Sequence, residues 1–485
     1  MLDALKKLQN RTKTENEAVT YSSTFNCCLD LFATIAALRS ESKSKIRRRF
    51  SCAYTENSDL AMKILFFARD VRGGLGERRV FRTIIKWLAK TKKETILKNI
   101  QYFAEYGRYD DLFELFNTPC EKEMLAFIRD RFNADLDNYR ENKPISLLAK
   151  WMPSINTSSK QSVYFAKRIA LFLNVNEEKY RKSLSALRST LHIIENNLRM
   201  KDYTFNYSKQ PSRAMWKYRA AFRRNDHERY GAFLDDVSSG NTILHTDTLY
   251  PYDIVNDIIG RDSSELDVPA LDVSWNSLKS FVHDENALVV IDGSASMYGY
   301  GNPTPAAVAI SLGLYFAEKN TGLFHNHFIT FSQSPRLVEI KGKNIVDKVR
   351  YCIEFNERSN TNIQKIFELI LAAALNKKAT QKELPSTLYI ISDMEFDSCA
   401  EDADMTNFEY AKKLFEEHGY HLPRLVFWNV QSRNIQQPVT MNEQGVALVS
   451  GCSPRIFSLL EKDDLSPMSL MLEILNSERY APIKA

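Results

Sequence analysis

The chain has 485 residues, 44% apolar and 26% charged, a globular composition that excludes a disordered chain, and its length exceeds one ordinary domain. Gly 16 and Pro 15 exclude collagen-like and low-complexity classes, and no apolar run approaches the ~18 residues of a membrane span. The net charge of +5 hides an asymmetry: residues 1–250 hold 44 basic and 29 acidic side chains, net +15, and residues 251–485 hold 21 and 31, net −10.

In chain order, Met1 to Thr12 carries Asp3, Lys6, Lys7 and Arg11 and lacks an apolar stretch, so no secretory signal is expected. The seven cysteines are scattered, with Cys27-Cys28 the only close pair, which predicts reduced thiols and a cytoplasmic protein. Apolar residues at three- and four-residue spacing predict helices over 60–69 and 80–88. A further stripe, Leu184, Leu187, Leu191, Ile194 and Leu198, predicts a helix over 181–199. The glycines of Arg72-Gly73-Gly74-Leu75-Gly76 lack the Gly-Lys-Ser/Thr ending of a phosphate loop and read as a helix–helix turn. The first half therefore reads as an all-α array of antiparallel helix pairs, like a HEAT-type solenoid. The Asp- and Ser-rich stretch 262–277 suggests a boundary, giving a basic helical domain over 1–275 and an acidic domain over 276–485.

Beyond that boundary the texture alternates. Strands are expected at 287–291, 327–331, 337–340, 387–391, 425–430 and 445–449. Helices are expected near 305–319, with Pro305 in the first turn, and at 345–355, 363–375 and 408–417. Apolar strands alternating with helices predict a doubly wound, Rossmann-like parallel sheet that binds ligands at the carboxyl ends of its strands.

One such end carries Val290-Ile291-Asp292-Gly293-Ser294-Ala295-Ser296-Met297. Thr361, before a helix, and Asp393, directly after a strand, fall where later connections return to the same edge. Asp292, Ser294, Ser296, Thr361 and Asp393 thus form a hard-oxygen set suited to Mg²⁺ or another small divalent cation such as Mn²⁺. Glu395 and Asp397 follow Asp393 and could add acids to the site, but they read rather as acids of a solvated loop or helix start.

These five positions, in this order, resemble the metal-ion-dependent adhesion site of von Willebrand factor type A domains. Asn360 stands where a glycine often precedes the threonine in that family. The resemblance implies a magnesium site whose open position takes an Asp or Glu from a partner protein. A phosphatase of the haloacid dehalogenase type requires a second acid two residues after the first; Ser294 stands there, which argues against a hydrolase.

The basic half concentrates its charge in Arg181, Lys182, Arg188, Lys209, Arg213, Lys217, Arg219, Arg223 and Arg224, interleaved with Tyr203, Phe205, Tyr207, Trp216, Tyr218, Phe222 and Tyr230. Cations neutralise phosphates and aromatic rings stack unpaired bases, so these nine residues are the candidate RNA contacts. Several segments resemble the TROVE module of the Ro autoantigen family and of an uncharacterised group that shares its layout. They include Leu65-Phe66-Phe67-Ala68-Arg69-Asp70, Tyr106-Gly107-Arg108-Tyr109-Asp110-Asp111, Ala149-Lys150-Trp151-Met152-Pro153 and Tyr207-Ser208-Lys209-Gln210-Pro211. The resemblance runs from about residue 20 to 465 and implies a helical ring closed by an A domain. It also implies partners: single-stranded ends of misfolded RNA in the basic hole, and small structured non-coding RNA on the outer surface. The expectation is a non-catalytic, cytoplasmic RNA-binding protein; a metal-dependent protein adaptor without RNA is the alternative, and a metal-dependent hydrolase the third.

Overall fold

The computed structural model describes residues 9–283, 286–299, 301–355, 362–397, 405–460 and 466–485. In the first half, apolar spacing becomes helices with side-chain caps. Asn57 accepts the Leu60 N–H at 3.0 Å and starts Ser58–Arg69, which is buried on nearly every side, from Ala61 to Arg69 with only Lys63 partly exposed. The chain then reverses through Arg72–Gly76, where Gly76 adopts φ 69° beneath the Tyr250 hydroxyl and leaves no room for a Cβ. Glu77 caps Arg78–Thr91 by accepting from Arg79 and Val80. The glycine run is the expected turn. The stripe over 181–199 is corrected: one helix spans Glu177–Thr190, the chain kinks at His192 (φ 45°), and a second spans Ile194–Met200. Apolar spacing crosses that break in phase, so periodicity alone did not show it.

The second half is built on six strands: β3 (Ala287–Asp292), β4 (His327–Phe331), β5 (Leu337–Glu339), β6 (Thr387–Ser392), β7 (Arg424–Asn429) and β8 (Val446–Ser450). Their order is β5-β4-β3-β6-β7-β8. All neighbours are parallel except β5, which runs antiparallel to β4 at the edge, a correction to the all-parallel expectation. The strands alternate faces with period two. Val289, Ile291, Tyr389, Ile391, Val426 and Trp428 join one cluster with helix Pro305–Lys319. Leu288, Val290, Leu388, Ile390, Leu425 and Phe427 join the other with helices Ile363–Lys377 and Asn407–Glu417. Covering both faces removes polar residues from the strands, which is why they read as continuous apolar runs. From β3 the chain winds outward to β4 and β5, then crosses to β6 and winds the other way. The topological switch point therefore lies between β3 and β6.

The two halves share a core. The Pro305–Lys319 face of the sheet continues into the helices of residues 27–69 and 251–259 and into the C-terminal helix Pro467–Leu475. Within the Asp- and Ser-rich stretch, helix Val268–Asn276 buries Leu271 and Trp275. The C-terminal segment returns to the helical half, where Tyr480 donates to Asp70 at 3.0 Å and Arg479 forms an ion pair with the same carboxylate. Two short strands that the sequence reading does not contain, β1 (Arg11–Lys13) and β2 (Val19–Tyr21), form a hairpin. Cys27 and Cys52 are joined, with Cα atoms 5.8 Å apart, which corrects the expectation of scattered thiols at this pair. Cys28, Cys120, Cys352 and Cys452 are free and buried. No helix among the described residues is long and apolar enough to cross a membrane.

Candidate functional site

The switch point places Asp292 at the end of β3 and Asp393 one residue past β6. Asp292 is fully buried; one carboxylate oxygen accepts the Ser294 N–H at 2.9 Å and the other the Ser392 hydroxyl at 2.6 Å. The chain then turns into a short 3₁₀ segment, Ala295–Tyr298, and the Ser294 and Ser296 hydroxyls stand 3.0 Å apart. Asp393 is 2% exposed; it accepts from Arg433 Nη2 at 2.8 Å and from the Glu395 N–H at 3.3 Å. Burial, reinforced by the neighbouring Asp393 charge, raises the Asp292 carboxyl to about 7. The structure thus brings together Asp292, Ser294, Ser296 and Asp393. Thr361 lies outside the described residues; Asn362 beside it caps helix Ile363–Lys377 by accepting the Lys365 N–H at 3.2 Å. Among the described residues no three His, Cys, Asp or Glu side chains gather as a metal cluster; the groups brought together here are two carboxylates and two hydroxyls.

Ser392 and Arg433 were not read from the sequence as participants, and Glu395 was read there as a solvated acid. Ser392 orients Asp292 from the adjacent strand. Arg433 bridges Asp393 and, through Nη1 at 2.9 Å, Glu15 of the N-terminal hairpin. Glu395, expected in a solvated loop, is 3% exposed, and that expectation is corrected. Its carboxylate accepts the Glu15 N–H at 2.8 Å, Asn434 Nδ2 at 3.0 Å and Gln436 Nε2 at 2.8 Å, and burial pushes its carboxyl up. The hairpin itself is pinned to this edge. Tyr21 and Gln437 exchange backbone hydrogen bonds of 3.0 and 2.8 Å, and the Thr14 hydroxyl donates to the Phe396 carbonyl at 2.6 Å. Next to β3, Ser332 directly follows β4; its hydroxyl is buried with no hydrogen-bond partner among the described residues.

The basic candidates separate by what their head groups touch. Helix Ser212–Asn225 buries Met215 and Phe222. Its flank faces acids: Arg219 covers the Trp216 ring at 3.7 Å and pairs with Asp257 at 2.5 Å, and Arg223 pairs with Asp267 at 3.5 Å. Its outer stripe carries Arg213, Lys217 and Arg224, three- to four-residue multiples apart and all exposed. Arg213 pairs with Asp253 at 2.5 Å, and Lys217 donates to the Tyr218 hydroxyl at 2.8 Å. Arg181, Lys209 and Arg224 are exposed with no side-chain partner among the described residues, and Lys182 pairs with Glu178 at 2.7 Å. Arg188 is committed internally, donating to Ala149 O, Ser154 Oγ and Met152 O at 2.9, 2.8 and 2.6 Å. The interleaved rings divide: Tyr203, Phe205, Trp216 and Tyr218 are partly exposed. Tyr207, Phe222 and Tyr230 are buried and pack on one another with centroids 5.2–5.5 Å apart, which corrects their reading as base-stacking groups.

Comparison with known proteins adds the following. The domain of unknown function DUF2828 matches residues 14–133 and 126–288, and the domain of unknown function DUF7788 matches 286–469. An uncharacterized protein, L728, of Acanthamoeba polyphaga mimivirus is 29% identical over 98% of this chain and 89% of its own length. A crystal structure of the Deinococcus radiodurans RO (RSR) protein is 12% identical, with a TM-score of 0.37 over 92% of each chain.

Proposed function

We propose, from the premise that this chain belongs to the DUF2828 family, that it binds RNA without turning it over, through the basic helical half. The observation that carries this reading is the net +15 of residues 1–250, together with the uncommitted head groups of Arg181, Lys209 and Arg224 and the exposed Lys217. Lys182 stays in the set because its exposed pair with Glu178 contributes little and yields to a phosphate, whereas Arg213 and Arg223 stay in it through half-exposed guanidiniums whose acceptors, Asp253 and Asp267, are largely buried. Arg188 and Arg219 hold the scaffold instead. With Tyr207, Phe222 and Tyr230 in the core, the basic head groups of this face favour phosphate contacts, while Tyr203, Phe205, Trp216 and Tyr218 stay partly exposed beside them.

The edge of the sheet, in the same proposal, holds a small divalent cation, Mg²⁺ or Mn²⁺, through Asp292, Ser294, Ser296 and Asp393, with Thr361 as a fifth donor. The chain's own chemistry supports the fit: burial beside the Asp393 charge raises the cost of ionising Asp292, and a hard cation relieves it. Hydroxyls where a hydrolase places a second acid favour holding an ion over activating water. A partner's Asp or Glu would complete such a site. The test is purification of the full chain without nuclease, sequencing of any co-purifying RNA, and binding of that RNA across a salt series. Failure to bind at low salt would leave the adaptor alternative in its place.

A further inference from the structure

The proposed cation site is already faced by a cation of the chain itself. Arg433 sits beyond β7, half-buried, with Nη2 2.8 Å from Asp393 and Nη1 2.9 Å from Glu15. Its two acceptors differ. The Asp393 side chain is 1% exposed and belongs to the sheet edge; that of Glu15 is 47% exposed and belongs to the docked hairpin. Asn434 Nδ2 donates at 3.0 Å to both Glu15 and Glu395, which fixes the hairpin carboxylate beside the site. Arg433 Nε is buried without an acceptor among the described residues, so these residues do not satisfy the guanidinium fully.

We propose that Arg433 is a resident counter-ion that competes with a divalent cation for Asp393, and that Glu15 is the resting carboxylate to which Arg433 retires when Asp393 is engaged. This rests on the assignment of Asp292 and Asp393 to a cation site. One guanidinium lies between two carboxylates, and a divalent charge at Asp393 would repel it from one while leaving the other free to receive it. The N-terminal hairpin thereby sets the cation affinity of an edge about 380 residues away in sequence. Site occupancy and hairpin contacts become linked quantities, and each shifts the other by the same factor.

The test is calorimetric titration of the full chain with Mg²⁺ and Mn²⁺, each variant first checked for folding by circular dichroism. Arg433→Gln should tighten binding at least about tenfold, since a like charge leaves the site. Arg433→Lys, which keeps the charge but loses the fork that spans the two carboxylates, should tighten binding by less than Arg433→Gln does. Glu15→Gln should weaken binding in the wild-type background, because Arg433 then rests wholly on Asp393. In the Arg433→Gln background Glu15→Gln should change little, which separates retirement of the arginine from a direct field of Glu15 on the ion. If the ion binds and Asp393→Asn abolishes it, yet Arg433→Gln leaves the affinity unchanged, the counter-ion role is refuted and the cation site stands. If neither wild type nor Arg433→Gln takes up either ion, the cation site itself is refuted, and this inference with it.

Discussion

Replacing Arg181, Lys209, Lys217 and Arg224 together by Gln tests the RNA surface where the structure makes it most vulnerable. All four are exposed, and Arg181, Lys209 and Arg224 engage no other described side chain, so their removal breaks no ion pair and leaves no buried group unpaired. Each phosphate contact contributes about 0.7–0.9 to the slope of log affinity against log salt. Four lost contacts should flatten that slope by about 3. Between about 50 and 200 mM salt the wild type should then lose about 60-fold more affinity than the variant. A matched control replaces Lys341, Lys343, Lys378 and Lys382, exposed residues of the acidic half, giving the same net charge. Filter binding or fluorescence anisotropy of a structured RNA, measured across the salt series, reads both. Equal slopes for the two variants would show that only net charge matters and would refute a localised surface. An unchanged slope in both would refute phosphate binding by this half.

Further predictions follow from the sheet edge and the helical core. Asp292→Ala should abolish Mg²⁺ uptake in calorimetry and leave RNA affinity of the folded variant within about threefold, since the basic stripe and β3 lie on different elements; equal loss of both would show that the sites are coupled. No hydrolysis of nucleotides, phosphoesters or RNA is expected with Mg²⁺ present, because His283 precedes β3 at its amino end and the loop offers hydroxyls; turnover that disappears in Asp292→Asn would overturn the non-catalytic assignment. Asp111→Ala should be among the most destabilising single changes. It removes the acceptor of Arg69 at 2.8 Å and of Arg82 at 2.6 Å and leaves Arg69, 2% exposed, as an unpaired buried charge. Breaking such a pair costs about 3–5 kcal/mol, read as a lowered denaturant midpoint, whereas Glu178→Ala at the exposed Lys182 pair should shift it by less than about 1 kcal/mol.

What the sequence made legible follows the range of the interactions involved. All six strands of the C-terminal sheet stand within a residue or two of their expected positions, because burial on both faces imposes an apolar run that local composition reports. Asp292, Ser294 and Ser296 were legible for a related reason: they share one strand-to-turn connection, and a two-residue spacing survives in one dimension. Asp393 was legible because it directly follows a strand that must return to the same edge. The β1–β2 hairpin left no such trace. Its strands are three residues each, polar in part, and stabilised by Gln437 and Phe396 rather than by their own pattern.

The same distinction explains why Glu395 and Arg433 looked ordinary. An acid after a strand end and an arginine in a Ser-Arg-Asn loop are common surface residues, and their burial here depends on the hairpin that covers them. Glu15, Asp393, Glu395 and Arg433 come from three stretches of chain, and only docking of the first onto the last two makes one electrostatic unit of them. Two buried sheet carboxylates with no cation at hand would be unstable as ions. A lone guanidinium on that edge, with no second acceptor, would in turn bind Asp393 too firmly to yield. If Arg433 is the counter-ion proposed above, Glu15 opposite Asp393 would meet both demands, since the arginine would neutralise the edge with no ion bound and have a carboxylate to move to when one binds. The chemistry of the sheet edge is therefore a property of the hairpin's docking as much as of the loop that carries the recognisable motif.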